Sequence, residues 1–330
     1  MFNNTFYRAL TAVILCIFPV LCWAQSVDYS VVSVREESGL DMMKFSADND
    51  LVAMPSVRRS RTGIQWLANR IMDISPDGTK LAFVAARGET SNVFIKEIIR
   101  QGSSIQRTNR SKVVDFTFSP DGKLLLFSEK IGKTVQIFQT DAEQGFVCRQ
   151  ITSGYQDYSP SFSDDMQRIF FARQESRGNS LWSYDVKNNY LSNYTSGMTP
   201  SIIGEDLILC SRMNDSGRGE IWKVNIATGI EECLVSDRIA SFSTPILSPD
   251  GQWIAFVGGA PLVNGNITYW NTDIYICRID GTERHQLTYH AADDLSPVWS
   301  KDGRYIYFIS QRGSADAVAN IWRLTVPFRQ

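Results

Sequence analysis

Histidine is scarce in this 330-residue chain: there are two, His285 and His290. Two histidines five apart at a strand end cannot form a three-histidine metal centre, and their spacing matches no ligand pattern. The six cysteines include no Cys-x-x-Cys pair, which excludes a zinc ribbon and a dithiol redox motif. No Gly-x-Ser-x-Gly elbow occurs, so the serine-hydrolase pattern is missing, and no glycine-rich phosphate loop is present. Basic runs are absent and the net charge is −2, so the chain is not a nucleic-acid binder. After Leu21 no apolar run is long enough to span a bilayer.

The one long apolar run is at the N-terminus. Arg8 precedes Ala9 to Leu21, and Cys22-Trp23-Ala24 offers a small-x-small cleavage site before Gln25. This pattern predicts a secretory signal peptide over residues 1–24, cleaved after Ala24, and hence a periplasmic or otherwise exported protein. Cys16 and Cys22 each follow a leucine, where a lipobox needs a small residue, which argues against lipidation. Cleavage leaves Cys148, Cys210, Cys233 and Cys277, which allow three pairings. Each lies in or beside an expected strand, where a free cysteine packs as a small apolar residue, so all four are expected unpaired and buried.

What is abundant is a repeated unit. Phe116-Thr117-Phe118 leads into Ser119-Pro120-Asp121-Gly122, and Leu124-Leu125-Leu126-Phe127 leaves it. Gly accepts the positive φ of a tight corner and Asp bonds nearby amides, so the unit reads as a β-hairpin. Asp77 in Ser75-Pro76-Asp77-Gly78 precedes Asp121 by 44 residues, and Asp165 follows by another 44. A worn copy runs Ile202-Ile203-Gly204-Glu205-Asp206, and clean corners return at Asp250-Gly251 and Asp302-Gly303. The acid at these corners is expected to fix the turn.

A period of about 40–45 residues in an all-β chain indicates propeller blades. A third strand follows each hairpin, as at Leu181-Trp182-Ser183-Tyr184 and Ile321-Trp322-Arg323-Leu324, and a weaker fourth follows in five units. The expected fold is therefore a six-bladed β-propeller of four-stranded blades, strands a to d from the axis outward. The sixth unit lacks its outer strand, and the segment before Ile71 is available to supply it and close the ring. A seventh, incomplete blade is the alternative, because Phe45 to Met54 looks like a degraded hairpin. The expected domains are residues 1–24 (signal peptide), 25–62 (extension and ring-closing segment) and 63–330 (propeller).

The Ser-Pro-Asp-Gly-x-x-Leu-x-Phe units, each with a third strand and a Leu-Thr-like ending, resemble the repeats of TolB-type β-propellers from about Gly63 to Val326. That resemblance implies a propeller in the cell envelope. TolB itself contacts an outer-membrane lipoprotein and other envelope proteins, while related propellers are fused to serine peptidases or act on carbohydrates. The segment before Gly63 is too short for the α/β domain that precedes the TolB propeller, so the resemblance implies a stand-alone propeller and not membership of the Tol system.

Two groups of candidate site residues follow. Asp157 and Asp294 each stand three residues before a proline that opens strand a, with Asp293 adjacent, and are candidates for the channel mouth. There they would meet a cation or a basic group, or cap a loop. The b–c loops, on the face opposite the corners, are mostly basic. Arg212 and Arg218 lie in one, and Tyr269 and Trp270 in an enlarged one from Gly258 to Asn271, a composition that suits either an interface or a loop burying its own aromatics. The reading this favours is an exported, non-enzymatic interaction module with an envelope protein partner and no cofactor. The alternatives are small-ligand or calcium binding in the channel without turnover, and a carbohydrate-active or other small-substrate enzyme at the channel mouth.

Overall fold

The computed structural model describes residues 40–55, 58–60, 63–66, 70–176, 178–264, 267–314 and 316–327. Residues 1–24, which the sequence reads as a signal peptide, and the two cysteines among them lie outside these residues.

The chain enters with β1 (Met42–Lys44) and a small hairpin of β2 (Arg58–Ser60) and β3 (Gly63–Trp66). Antiparallel four-stranded units follow in chain order, the second and third joined by a single parallel bridge, Val135↔Gln156. The first holds β4 (Met72–Ile74), β5 (Lys80–Arg87), β6 (Thr90–Glu97) and β7 (Ile105–Gln106). The second holds β8 (Val113–Phe118), β9 (Leu124–Ile131), β10 (Thr134–Asp141) and β11 (Cys148–Gln150). The third holds β12 (Gln156–Phe162), β13 (Arg168–Glu175), β14 (Gly178–Asp185) and β15 (Tyr190–Ser196). The fourth holds β16 (Met198–Ile203), β17 (Leu207–Met213), β18 (Gly219–Asn225) and β19 (Glu231–Val235). The fifth holds β20 (Ser241–Leu247), β21 (Trp253–Asn264), β22 (Ile267–Arg278) and β23 (His285–Gln286). The last holds β24 (Asp294–Trp299), β25 (Tyr305–Ser310) and β26 (Asn320–Thr325), and its outer strand is β1, in register as Met42↔Leu324 and Lys44↔Trp322. The first strands of successive sheets touch one another around a closed circle, β24 meeting β4.

Five of the a–b corners are built alike, the exception being the worn one at Gly204. Ser75 Oγ donates to Asp77 Oδ1 at 2.5 Å, and the same carboxylate oxygen accepts Thr79 N–H at 3.0 Å. Equivalent serine–aspartate bonds occur at Asp121, Asp165, Asp250 and Asp302. The Ser75 hydroxyl and then the Thr79 N–H lower the Asp77 carboxyl to about 2. The core is formed where sheets face each other through buried side chains such as Phe83, Phe127, Phe171, Phe256 and Phe308.

Three expectations need correction. Phe45 to Met54 is not a hairpin: Asp48–Asp50 is a 3-10 turn and Leu51 sits at φ 53°. Asp50 is the cause, since its buried carboxylate accepts Ala47 N–H at 2.9 Å and pairs with Lys96 Nζ at 2.7 Å. The Gly258–Asn271 insertion is not a loop: strands β21 and β22 run on as a ladder to Asn264↔Ile267, in a segment whose branched and aromatic residues suit a strand. The four cysteines are free, but only Cys210 and Cys277 are buried. Cys148 and Cys233 lie on outermost strands, β11 and β19, with one side open to solvent.

Candidate binding site at the mouth of the axial channel

The innermost strands carry a second repeated device. Ser159, Thr199, Thr244 and Ser296 each precede a proline and each has left-handed φ: 52°, 46°, 56° and 55°. Proline cannot donate to the ladder, and the strand bulges there: the registers shift between Tyr158 and Ser161, Met198 and Ser201, Ser243 and Ile246, and Leu295 and Val298. The strained backbone is offset by hydrogen bonds between neighbouring sheets. Ser159 N–H donates to Asp115 Oδ2 at 2.9 Å, Thr244 N–H to Ser211 Oγ at 3.1 Å, and Ile71 N–H to Ser296 Oγ at 3.0 Å.

These bulges narrow the axis to a neck of about 10 Å³ lined by Arg70, Ser159, Thr199, Thr244 and three of the prolines. On the corner side the neck widens into a cavity of about 580 Å³. All of the four-stranded sheets contribute to it, through residues such as Asp73, Thr117, Ser161, Ile203, Leu247 and Trp299. Lys301 and Asp164 stand at its rim. Its wall is a mixture of prolines, aliphatic side chains and serine hydroxyls, and its size is that of a ligand pocket.

Charge at the floor is carried by Arg70 and Asp73, with Asp115 buried behind Ser159. Arg70 Nη2 donates to Thr117 Oγ1 at 3.2 Å. Thr117 Oγ1 in turn donates to Asp73 Oδ2 at 2.9 Å, which also accepts Phe118 N–H at 3.0 Å. Asp115 is fully buried, and burial pushes its carboxyl up to about 6, against the opposing pull of Ser128, Ser159 and Arg70.

The residues singled out from the sequence lie elsewhere. Asp157, at the start of β12, is held by Arg173 through two bonds, Nε to Oδ1 at 2.7 Å and Nη2 to Oδ2 at 3.0 Å. Asp294, the first residue of β24, pairs with Arg312, and both are buried completely. Arg312 also donates to Met42 Sδ at 2.7 Å, tying the pair to β1. Asp293 accepts from Thr272 N–H and its hydroxyl, at 3.2 and 2.8 Å. None of the three lines the cavity. His290 is buried and accepts Ala292 N–H at Nδ1, a structural use.

The basic b–c face is largely committed to its own sheets. Arg87, Arg173, Arg212 and Arg312 lie over strand-c aromatics Phe94, Trp182, Trp222 and Trp322, at 4.6, 4.6, 4.7 and 6.0 Å from the ring centres. Arg212 also pairs with Glu231 at 2.6 Å. Arg218 donates to Ile239 O at 3.2 Å. Trp270 sits on β22 opposite Pro261, half-buried against the core between the fifth and last sheets, and Tyr269 stands opposite Leu262. Strand β3 touches β20 and β21, so the small N-terminal hairpin also packs against the fifth sheet. Among the described residues no group of three or more His, Cys, Asp or Glu side chains is arranged to hold a metal ion.

Sequence reasoning missed Arg70, Asp73, Thr117 and Asp115. Asp73, Thr117 and Ser161 share one offset, two residues before the corner serine, and comparing that column across the repeats would have found them. Arg70 stands where the repeat is only beginning and gave no such signal.

The model for the TolB beta propeller domain matches residues 56–237. Among solved structures, a putative TolB from Agrobacterium tumefaciens superposes with a TM-score of 0.58 at 16% identity, covering 80% of this chain and 93% of that one. TolB from Acinetobacter baumannii gives 0.54 at 18%, covering 74% and 57%. An oligogalacturonate lyase from Vibrio parahaemolyticus gives 0.55 at 14%, covering 88% and 97%. At these identities the likeness is one of fold. An uncharacterized peptidase of Bacillus subtilis, YuxL, is 26% identical over 191 residues, 55% of this chain and 28% of that protein. The matched stretch is thus under a third of that relative's length.

Proposed function

Since this chain belongs to the TolB β-propeller domain family, we propose that it is an exported, non-enzymatic binding module of the cell envelope, which takes a segment of a protein partner into the cavity on its corner face. The observation that carries this reading is the cavity itself: about 580 Å³, open, and walled by every four-stranded sheet. A wall of prolines, aliphatic side chains and hydroxyls suits a peptide segment, offering apolar contact with a few hydrogen-bonding groups. Fold alone leaves the activity open, since propellers of this family host unrelated chemistries. Two features favour binding over turnover. The acidic candidates Asp157 and Asp294 are each neutralised by a buried arginine, and Asp73 and Asp115 are engaged in bonds between sheets. Export is supported by the pattern of residues 1–24 and by the envelope setting that the TolB resemblance implies.

The reading is tested by filling the cavity. Ser161→Trp places an indole in the wall without touching the corner bonds. Partner capture by the tagged protein in its native envelope is expected to fall at least tenfold, with the melting temperature little changed. Undiminished capture by a folded Ser161→Trp variant overturns the proposal.

A further inference from the structure

We propose that Arg70, at the floor of the cavity, is the anchor for a carboxylate of the bound segment; the inference rests on the cavity being the binding site. Arg70 is the residue that lines both the neck and the cavity above it, so it stands where the cavity narrows and an entering group must stop. Guanidinium carries five N–H donors in a planar fork. Among the described residues one of these is used, by the Thr117 hydroxyl at 3.2 Å.

The contrast with the other arginines is the core of the argument. Arg173 and Arg312 are buried structural cations, and each has a carboxylate in direct contact, Asp157 and Asp294. No described carboxylate lies within ion-pair distance of Arg70, although two acids are close by. Asp73 is occupied elsewhere, taking Ile74 N–H, Thr117 Oγ1 and Phe118 N–H, and Asp115 is held toward the neighbouring sheet by Ser159 N–H at Oδ2. Thr117 therefore works as a positioning residue, tied to Asp73 on one side and steering the guanidinium on the other. What remains is a half-buried fork facing a partly apolar space, where a charge-assisted pair is stronger than in open water.

The chemistry selects the ligand class. A single fork matches a carboxylate through two parallel bonds. A phosphate dianion would bring a second negative charge toward Asp73 and Asp115 with no second described cation at the floor; Lys301 stands at the rim. The carboxylate comes either from an acidic side chain or from a chain terminus, and the test separates the two.

The experiment follows the Arg70 side-chain Nε–H signal in the full chain labelled with ¹⁵N-arginine. Arg70→Lys assigns the signal by its loss, and Thr117→Val assigns it independently by displacing it. Three peptides are titrated at constant ionic strength: acetyl-Ala-Glu-Ala-amide, acetyl-Ala-Ala-Ala with a free C-terminus, and acetyl-Ala-Ala-Ala-amide. A saturable shift at Arg70 is expected with one or both carboxylate peptides and none with the amide, while Arg87 stays still. The peptide that shifts it identifies side chain or terminus. An equal response to the amide, or no saturation with either acid up to roughly 50 mM, overturns the proposal. Failure here with Ser161→Trp still blocking capture removes the anchor and leaves the cavity. A shift at Arg70 with capture unaffected by Ser161→Trp leaves the anion site and removes the partner reading.

Discussion

Asp157 and Arg173 face each other across β12 and β13 and are joined by two hydrogen bonds of 2.7 and 3.0 Å in a fully buried setting. The arginine is also stacked, 3.9 Å from the Tyr155 ring centre and 4.6 Å from that of Trp182. The pair therefore belongs to the scaffold. Removing one partner leaves an uncompensated charge, so Asp157→Asn is expected to destabilise the protein by about 3–5 kcal/mol. Asp157→Leu combined with Arg173→Leu should cost less than either single change. Urea unfolding of Asp157→Asn, of each single leucine variant and of the double variant checks this, and equal single and double losses would contradict it.

The same geometry bears on calcium. The carboxylate of Asp157 is engaged at both oxygens, and Asp294 faces Arg312 in the dry interior. An ion would have to displace an arginine at either place. Millimolar calcium is accordingly expected to leave the melting temperature unchanged, whereas binding to the native state would raise it by mass action.

Asp115 makes stability depend on pH in an unusual direction for an acid. Its carboxyl rises from 3.8 to about 6 on folding, chiefly through burial. Between those values the folded chain holds a proton that the unfolded chain has lost, so this group's contribution favours folding at low pH and declines as pH rises through about 4 to 6. Above pH 7 the decline is complete, at roughly 3 kcal/mol for two units. Asp115→Asn can still accept Ser159 N–H, and it should flatten the stability profile over that range. A profile of unchanged slope would contradict the assignment.

Ser159 tests the bulges at the neck. Its φ of 52° disfavours a side chain, and branched ones most. Ser159→Gly keeps the backbone bond to Asp115 and is expected to be neutral or to stabilise by up to about 1 kcal/mol. Ser159→Val should destabilise by about 2 kcal/mol or more. Thermal unfolding of both variants gives the comparison.

The architecture was legible because its signals are local and repeated. A Ser-Pro-Asp-Gly corner writes its own hydrogen bonds, and its recurrence placed the strands and foretold that a segment before Ile71 would complete the last sheet. The site was less legible because it depends on which partners meet across sheets. Asp157 and Asp294 drew notice by their place three residues before a strand-opening proline, yet the arginines that hold them stand 16 and 18 positions away. Arg212 reads as a surface cation until Glu231 and Trp222 are seen beside it. Arg70 gave no signal because an axial position is a property of the closed circle.

The central claim is that a partner enters the corner-face cavity. It is tested most directly by a photoreactive amino acid placed at Ile203 or Leu247 in the cavity wall, and at the exposed outer position Ile99 as control, in cells that make the protein. Illumination is expected to join the same partner to both wall positions and not to Ile99, with the product lost when Ser161→Trp is added. Crosslinks from Ile99 alone, or from the wall positions undiminished by Ser161→Trp, would contradict the account.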